Sequence, residues 1–186
     1  YKLVESFKSG FIIIDEAYID FSDEPSFILE LAKYTQVIVM QTLSKAYGLA
    51  SLRLGMAFAN PAIISLLNKI KPPYNIGGAT QEIVYKALAN FSFKDESVQL
   101  ILSERTRLVD SLQNIPDIIQ IYPSDANFIL VHFKRATELF NYLIESQLIT
   151  RNRSSVALCE DSIRITIGLS EENDKLVDLI STFYVA

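Results

Sequence analysis

Phe11-Ile12-Ile13-Ile14-Asp15-Glu16 is an apolar run that stops on two carboxylates. A short, unbroken run of this kind suits a strand covered on both faces, as in a parallel sheet. Residues 37–40 (Val-Ile-Val-Met) and 56–59 (Met-Ala-Phe-Ala) repeat the pattern, and residues 24–34 between the first two runs read as a helix. The result is a βαβ rhythm, and hence an α/β fold. Asn60-Pro61 then supplies an N-cap and a proline for the first helical position. Ile63, Ile64, Leu66, Leu67 and Ile70 give that helix an apolar stripe, and Lys71-Pro72-Pro73 ends it.

Helical spacing returns over about 80–90 and over about 95–114, where Val98, Ile101, Leu102, Leu108 and Leu112 recur. The second of these is long enough to link two domains. Beyond Pro116 the order changes: strands at 127–133 and 163–167 alternate with helices near 137–146 and after Ser170. The expected organisation is therefore a larger α/β part over 1–114 and a small α+β domain over 115–186.

Composition narrows the function. Of the 186 residues 49% are hydrophobic, enough for a real core, and the formal net charge of −5 lacks the basic footprint of a nucleic-acid binder. Cys159 is the only cysteine, so no internal disulfide forms and cytoplasm is the default expectation. Neither a membrane-spanning run nor a signal-peptide layout is evident. The chain starts on Tyr1 and enters a strand pattern almost at once, which reads as a piece of something longer.

The chemistry lies where the runs end. Asp15 and Glu16 close the first strand, at the carboxyl edge where ligands bind in open α/β sheets, although a capped, solvated turn is an equally ordinary reading. Thr42-Leu43-Ser44-Lys45 follows the second strand and brings two hydroxyls and an amine to the same edge. Hydroxyls and backbone N–H groups hold phosphates, and an amine condenses with a carbonyl. Arg53 begins the third strand and offers a planar fork for the same phosphate, a surface arginine being the bland alternative. A carboxylate for a pyridine nitrogen, a lysine for an aldehyde and a phosphate cup together describe the needs of pyridoxal 5'-phosphate.

The segments Ile13-Ile14-Asp15-Glu16-Ala17-Tyr18-Ile19-Asp20-Phe21 and Thr42-Leu43-Ser44-Lys45-Ala46-Tyr47-Gly48-Leu49-Ala50-Ser51-Leu52-Arg53-Leu54-Gly55 resemble the fold type I, class I/II aminotransferases, most closely the histidinol-phosphate aminotransferases. The resemblance implies the C-terminal part of the large pyridoxal-phosphate-binding domain, a mostly parallel sheet with helices, followed by a small α+β domain. It implies that Lys45 bonds the cofactor and shuttles a proton, that Asp15 pairs with the pyridine nitrogen, and that Tyr18 bonds the ring hydroxyl. Thr42, Ser44 and Arg53 would hold the cofactor phosphate.

In Ser162-Ile163-Arg164-Ile165-Thr166-Ile167-Gly168, the three isoleucines share one strand face and Arg164 takes the other. The family uses this arginine for the substrate α-carboxylate. Ile149-Thr150-Arg151-Asn152-Arg153 resembles the stretch that recognises a substrate phosphate, with Arg151 favoured and Arg153 its rival. Tyr74 aligns with a substrate-side tyrosine, although Asn75-Ile76-Gly77-Gly78 departs from the usual pattern, and Ser51 replaces a customary glycine. His132 and Cys159 read as structural and incidental.

The implied reaction passes an amino group between histidinol phosphate and 2-oxoglutarate in histidine biosynthesis, by a homodimer. The asparagine that touches the ring hydroxyl and the aromatic that stacks on the cofactor belong to the family's first half. The chain by itself is therefore expected to be nearly inactive. A threonine-phosphate decarboxylase, another class I/II aminotransferase, or the ligand-sensing half of an aminotransferase-like transcription regulator are the rival readings.

Overall fold

The computed structural model describes residues 1–7 and 9–185. They form two compact units, 1–96 and 97–186. The division falls inside a helix that the sequence reading placed wholly in the first domain.

The first unit contains α1 (Lys2–Ser6), β1 (Ile12–Asp15), β2 (Val37–Thr42), β3 (Gly55–Ala59), α2 (Pro61–Ile70) and α3 (Gly78–Ala89). Asn60 caps α2 as expected, its side chain accepting from the Ala62 N–H. Parallel pairing sets Ile12 beside Val37 and Asp15 beside Met40. Two expectations fail here. Residues 24–34 form a short 3-10 turn, Phe27–Glu30, rather than an α-helix. Glu16 takes the Ser26 hydroxyl and the Phe27 N–H, so the start of this segment is bound to a tertiary acceptor. β3 runs antiparallel to β2, with Thr42 opposite Gly55. The connection 43–54 doubles back, Leu49 N–H donating to Leu43 O and Leu43 N–H to Leu54 O, and contains no crossover helix to carry the chain to a parallel start.

Val4, Tyr34, Val37 and Val39 form the core of this sheet, with Ile12, Ile14 and Phe58 packed against them. Its other face was expected to be covered too. Instead it presents Ile13, 60% exposed, and Met40, 39% exposed.

α4 (Phe91–Leu112) leads into the second unit, which adds β4 (Ile118–Ile121), β5 (Phe128–Phe133), α5 (Ala136–Glu145), β6 (Arg151–Asn152), β7 (Ser162–Thr166) and α6 (Ser170–Val185). The sheet order is β4-β5-β7-β6, antiparallel throughout. Ile129, Val131, Ile163 and Ile165 line one face and are buried with Leu139 and Leu143 of α5 and Leu176 and Ile180 of α6. The alternation read from residues 163–167 is thus realised on β7, and β5 alternates in the same way. Buried Glu104, on α4, accepts from Arg107, from Ser170 Oγ at 2.9 Å and from Asn173 Nδ2 at 2.8 Å, tying α4 to the start of α6.

Candidate functional site

In the first unit, the ends of β1 and β2 lie side by side because the strands are parallel and in register. Asp15 closes β1, and one of its carboxylate oxygens accepts from the Ala17 N–H at 3.0 Å. That turn swings the chain toward Tyr18, whose ring carries the ammonium of Lys45 4.9 Å from its centroid. A cation over an aromatic face is held by the ring quadrupole, so the lysine has a defined resting position.

At the end of β2, Thr42 Oγ1 lies 2.9 Å from Ser44 Oγ and 3.1 Å from the Leu54 carbonyl, and accepts from the Ser44 N–H at 3.1 Å. Gly48, at φ +67, lets the chain reverse after Lys45, its N–H donating to the Lys45 carbonyl. Arg53 then adopts a left-handed conformation, φ 53 and ψ 39, while its guanidinium donates to Ala50 O. A non-glycine residue held there costs on the order of 1 kcal/mol and points to a position fixed by more than local preference. Ser51 is not among the positive-φ residues, so it takes its usual glycine's place without strain.

These groups have unused bonding capacity. Among the described residues, the second oxygen of Asp15 and the Lys45 ammonium have no hydrogen-bond partner. Asp15, Ala17, Gln41 and Thr42 border an open cavity of about 450 Å³. An acceptor for a ring N–H, a donor for a phosphate oxygen and a free amine are the groups that pyridoxal phosphate requires, and this donor set fits it.

In the second unit, Arg164 on β7 is paired with Leu130 on one side and directly with Arg151 of β6 on the other. Its guanidinium lies 4.9 Å from the centroid of the Phe128 ring, and its Nε is buried without a hydrogen-bond partner. Neither arginine has a carboxylate partner among the described residues. Arg153 follows, its N–H donating to Ser162 O. Residues directly opposite on paired strands share a sheet face, so β6 brings Arg151 to the face that carries Arg164. Phe128 was missed by the sequence reading; the alternation of residues 128–133 puts it on the polar face, but its approach to Arg164 depends on a register that only pairing reveals.

Tyr74 is 87% exposed between α2 and α3 and makes no hydrogen bond or ring contact among the described residues. His132 is half-buried on β5, opposite Gln120 and Ser162, and Cys159 closes a turn with Val156. No helix among the described residues is long and apolar enough to cross a membrane, and no cluster of residues could hold a metal ion.

Residues 2–180 match the family model described as aminotransferase class I and II. A histidinol-phosphate aminotransferase of Cytophaga hutchinsonii is 49% identical over 175 residues, which are 94% of this chain and 50% of that protein. Another from Parabacteroides distasonis is 48% identical over 96% of this chain and 51% of its own. The solved structure of the Sinorhizobium meliloti histidinol-phosphate aminotransferase, in complex with pyridoxal-5'-phosphate, superposes with a TM-score of 0.80 at 25% identity, covering 95% of this chain and 50% of that one. The chain thus spans about half the length of the curated relatives that it matches.

Proposed function

Because the chain belongs to the class I and II aminotransferase family, we propose that it carries the pyridoxal-phosphate-bonding part of a histidinol-phosphate aminotransferase, working as a homodimer on histidinol phosphate and 2-oxoglutarate. The observation that carries this reading is the meeting, at one sheet edge, of a lysine amine without a hydrogen-bond partner, a pair of hydroxyls and a half-used carboxylate. Relatives bearing that enzyme's name, at 48–49% identity, support the substrate.

Bound pyridoxal phosphate supplies an aldehyde for the amino group and a protonated ring that draws electrons from the substrate α-carbon. Lys45 would hold the cofactor through its amine and would move a proton to and from the substrate α-carbon. Asp15 holds the ring nitrogen in its protonated form with the oxygen that Ala17 leaves unused. Tyr18 orients the ring oxygen, and its face parks the Lys45 ammonium. Thr42, Ser44 and Arg53 hold the phosphate. Arg164 takes the α-carboxylate with the planar fork that Phe128 supports from one face. Arg151, with Arg153 beside it, takes the substrate phosphate, and Tyr74 acts on the substrate side.

Incubation with pyridoxal phosphate, borohydride reduction and peptide mapping test the reading. Reduced cofactor is expected on Lys45. Its appearance on Lys69 or Lys71 in place of Lys45 overturns the assignment. In the transaminase assay, carbon dioxide release from phosphothreonine moves the protein to the decarboxylase branch.

A further inference from the structure

Glu16 lies next to Asp15 in sequence, yet nothing in the reaction uses it. Its carboxylate is half-buried and accepts three hydrogen bonds: Ser26 Oγ at 2.6 Å, Phe27 N–H at 2.7 Å and Gln41 Nε2 at 2.9 Å. Gln41 Nε2 also reaches Ser26 Oγ at 3.3 Å, closing the cluster. Three donors on one carboxylate, none with a formal charge, place an anion among oriented dipoles with no ion-pair partner.

The location gives the cluster its meaning. Pairing of β1 with β2 stops at Asp15 and Met40, with one further bond from Glu16 N–H to Met40 O. Beyond that point β1 turns away toward Tyr18, and β2 continues to Thr42, Ser44 and Lys45. The Glu16–Gln41 bond is the side-chain tie between the two departing segments, one residue beyond Asp15 and one residue before Thr42. We propose that Glu16 is a positioning residue, which through Gln41 sets the separation between the ring-nitrogen acceptor Asp15 and the phosphate-and-lysine segment 42–45. This inference rests on the cofactor reading above.

The test measures Lys45 directly. The 186-residue chain is treated briefly with pyridoxal phosphate and borohydride, and mass spectrometry gives the labelling rate of Lys45 relative to the exposed Lys69. In the unaltered chain Lys45 is expected to label at least tenfold faster. Glu16→Gln places an amide against donors and is expected to remove most of that preference. The double exchange Glu16→Gln with Gln41→Glu restores a donor–acceptor pair with the polarity reversed, and is expected to recover it. Gln41→Met, which removes both bonds from Nε2 and keeps the volume, is expected to lower the preference about threefold and serves should Glu16→Gln not fold.

Melting temperature is followed in parallel. A purely structural role lowers melting and labelling together and gains nothing from the exchange, which overturns the proposal. Undiminished Lys45 preference in Glu16→Gln or Gln41→Met overturns it equally. Equal labelling of Lys45 and Lys69 in the unaltered chain instead sinks the cofactor reading, and this proposal with it.

Discussion

Arg151 and Arg164 stand directly opposite each other on the antiparallel strands β6 and β7. Like charges in that relationship oppose the pairing by about 0.2–1 kcal/mol. An anion joining the pair would relieve that repulsion, and no carboxylate among the described residues does so.

Replacing Arg151 with Gln is therefore expected to leave the folding stability unchanged or raise it by up to about 1 kcal/mol at low salt, with the melting temperature following. In the unaltered chain, inorganic phosphate is expected to raise the melting temperature by mass action on the folded state. The variant loses most of that phosphate response. Calorimetry with and without phosphate makes the comparison, and an unaltered phosphate response in Arg151→Gln rules out an anion site at this pair.

Arg53 separates backbone strain from ligand binding. Its left-handed conformation suits glycine, whereas an alanine there keeps the strain and loses the guanidinium. Arg53→Gly is expected to be more stable than Arg53→Ala by about 1 kcal/mol. Both variants are expected to lose pyridoxal phosphate affinity alike, by tenfold or more, because the fork is gone from each. Denaturant unfolding gives the first quantity and cofactor titration the second. An alanine variant as stable as the glycine one removes the case for strain.

The sequence shows the chemistry of the first unit better than its path. Asp15, Thr42, Ser44 and Lys45 stand out because they follow the ends of apolar runs, and strand ends are brought together by any parallel pairing; Tyr18 is singled out by the family resemblance alone. The direction of β3 is not legible, since it depends on how 43–54 folds back through bonds from Leu49 to Leu43 and from Leu43 to Leu54. Residues 24–34 carry helical spacing, but the Glu16 carboxylate takes the donors of Ser26 and Phe27, a tertiary choice that overrides local preference. In the second unit, periodicity assigns Arg164 to the polar face. It cannot show that β6, only two residues long, delivers Arg151 to the same place.

Assayed by itself, the 186-residue chain is expected to form no measurable glutamate, even with excess cofactor. Asp15 and Arg53 are exposed and the cavity beside them is open, whereas proton transfer at the α-carbon needs the ring fixed to within a fraction of an ångström. Selective borohydride trapping at Lys45 is expected to survive this loss, because the local groups suffice for bonding. A coupled assay for glutamate measures the first expectation, and turnover of about 1 s⁻¹ or more, within the ordinary enzyme range, would contradict it.

Glu104 makes the second unit sensitive to acid. Its hydrogen bonds from Arg107, and then from Asn173 and Ser170, hold the carboxyl at about 2 against the opposing effect of burial, compared with 4.5 when free. A carboxyl whose value is lowered by folding adds stability that is fully present above about 4.5 and is lost as the pH falls toward about 2. Glu104, and then Asp174, push Arg107 upward, so the guanidinium stays charged through this window. Glu104→Gln keeps the shape and removes the charge, and is expected to cost about 1–3 kcal/mol at neutral pH. The cost should shrink between pH 4.5 and 2, since the unfolded chain's carboxyl takes up its proton in that range while the folded one does so only toward about 2. Thermal melts of the two proteins across this range should converge toward the acid end. Curves that stay parallel down to pH 2 would show that Glu104 contributes by packing and hydrogen-bond shape alone, without the charge that Arg107 shares with it.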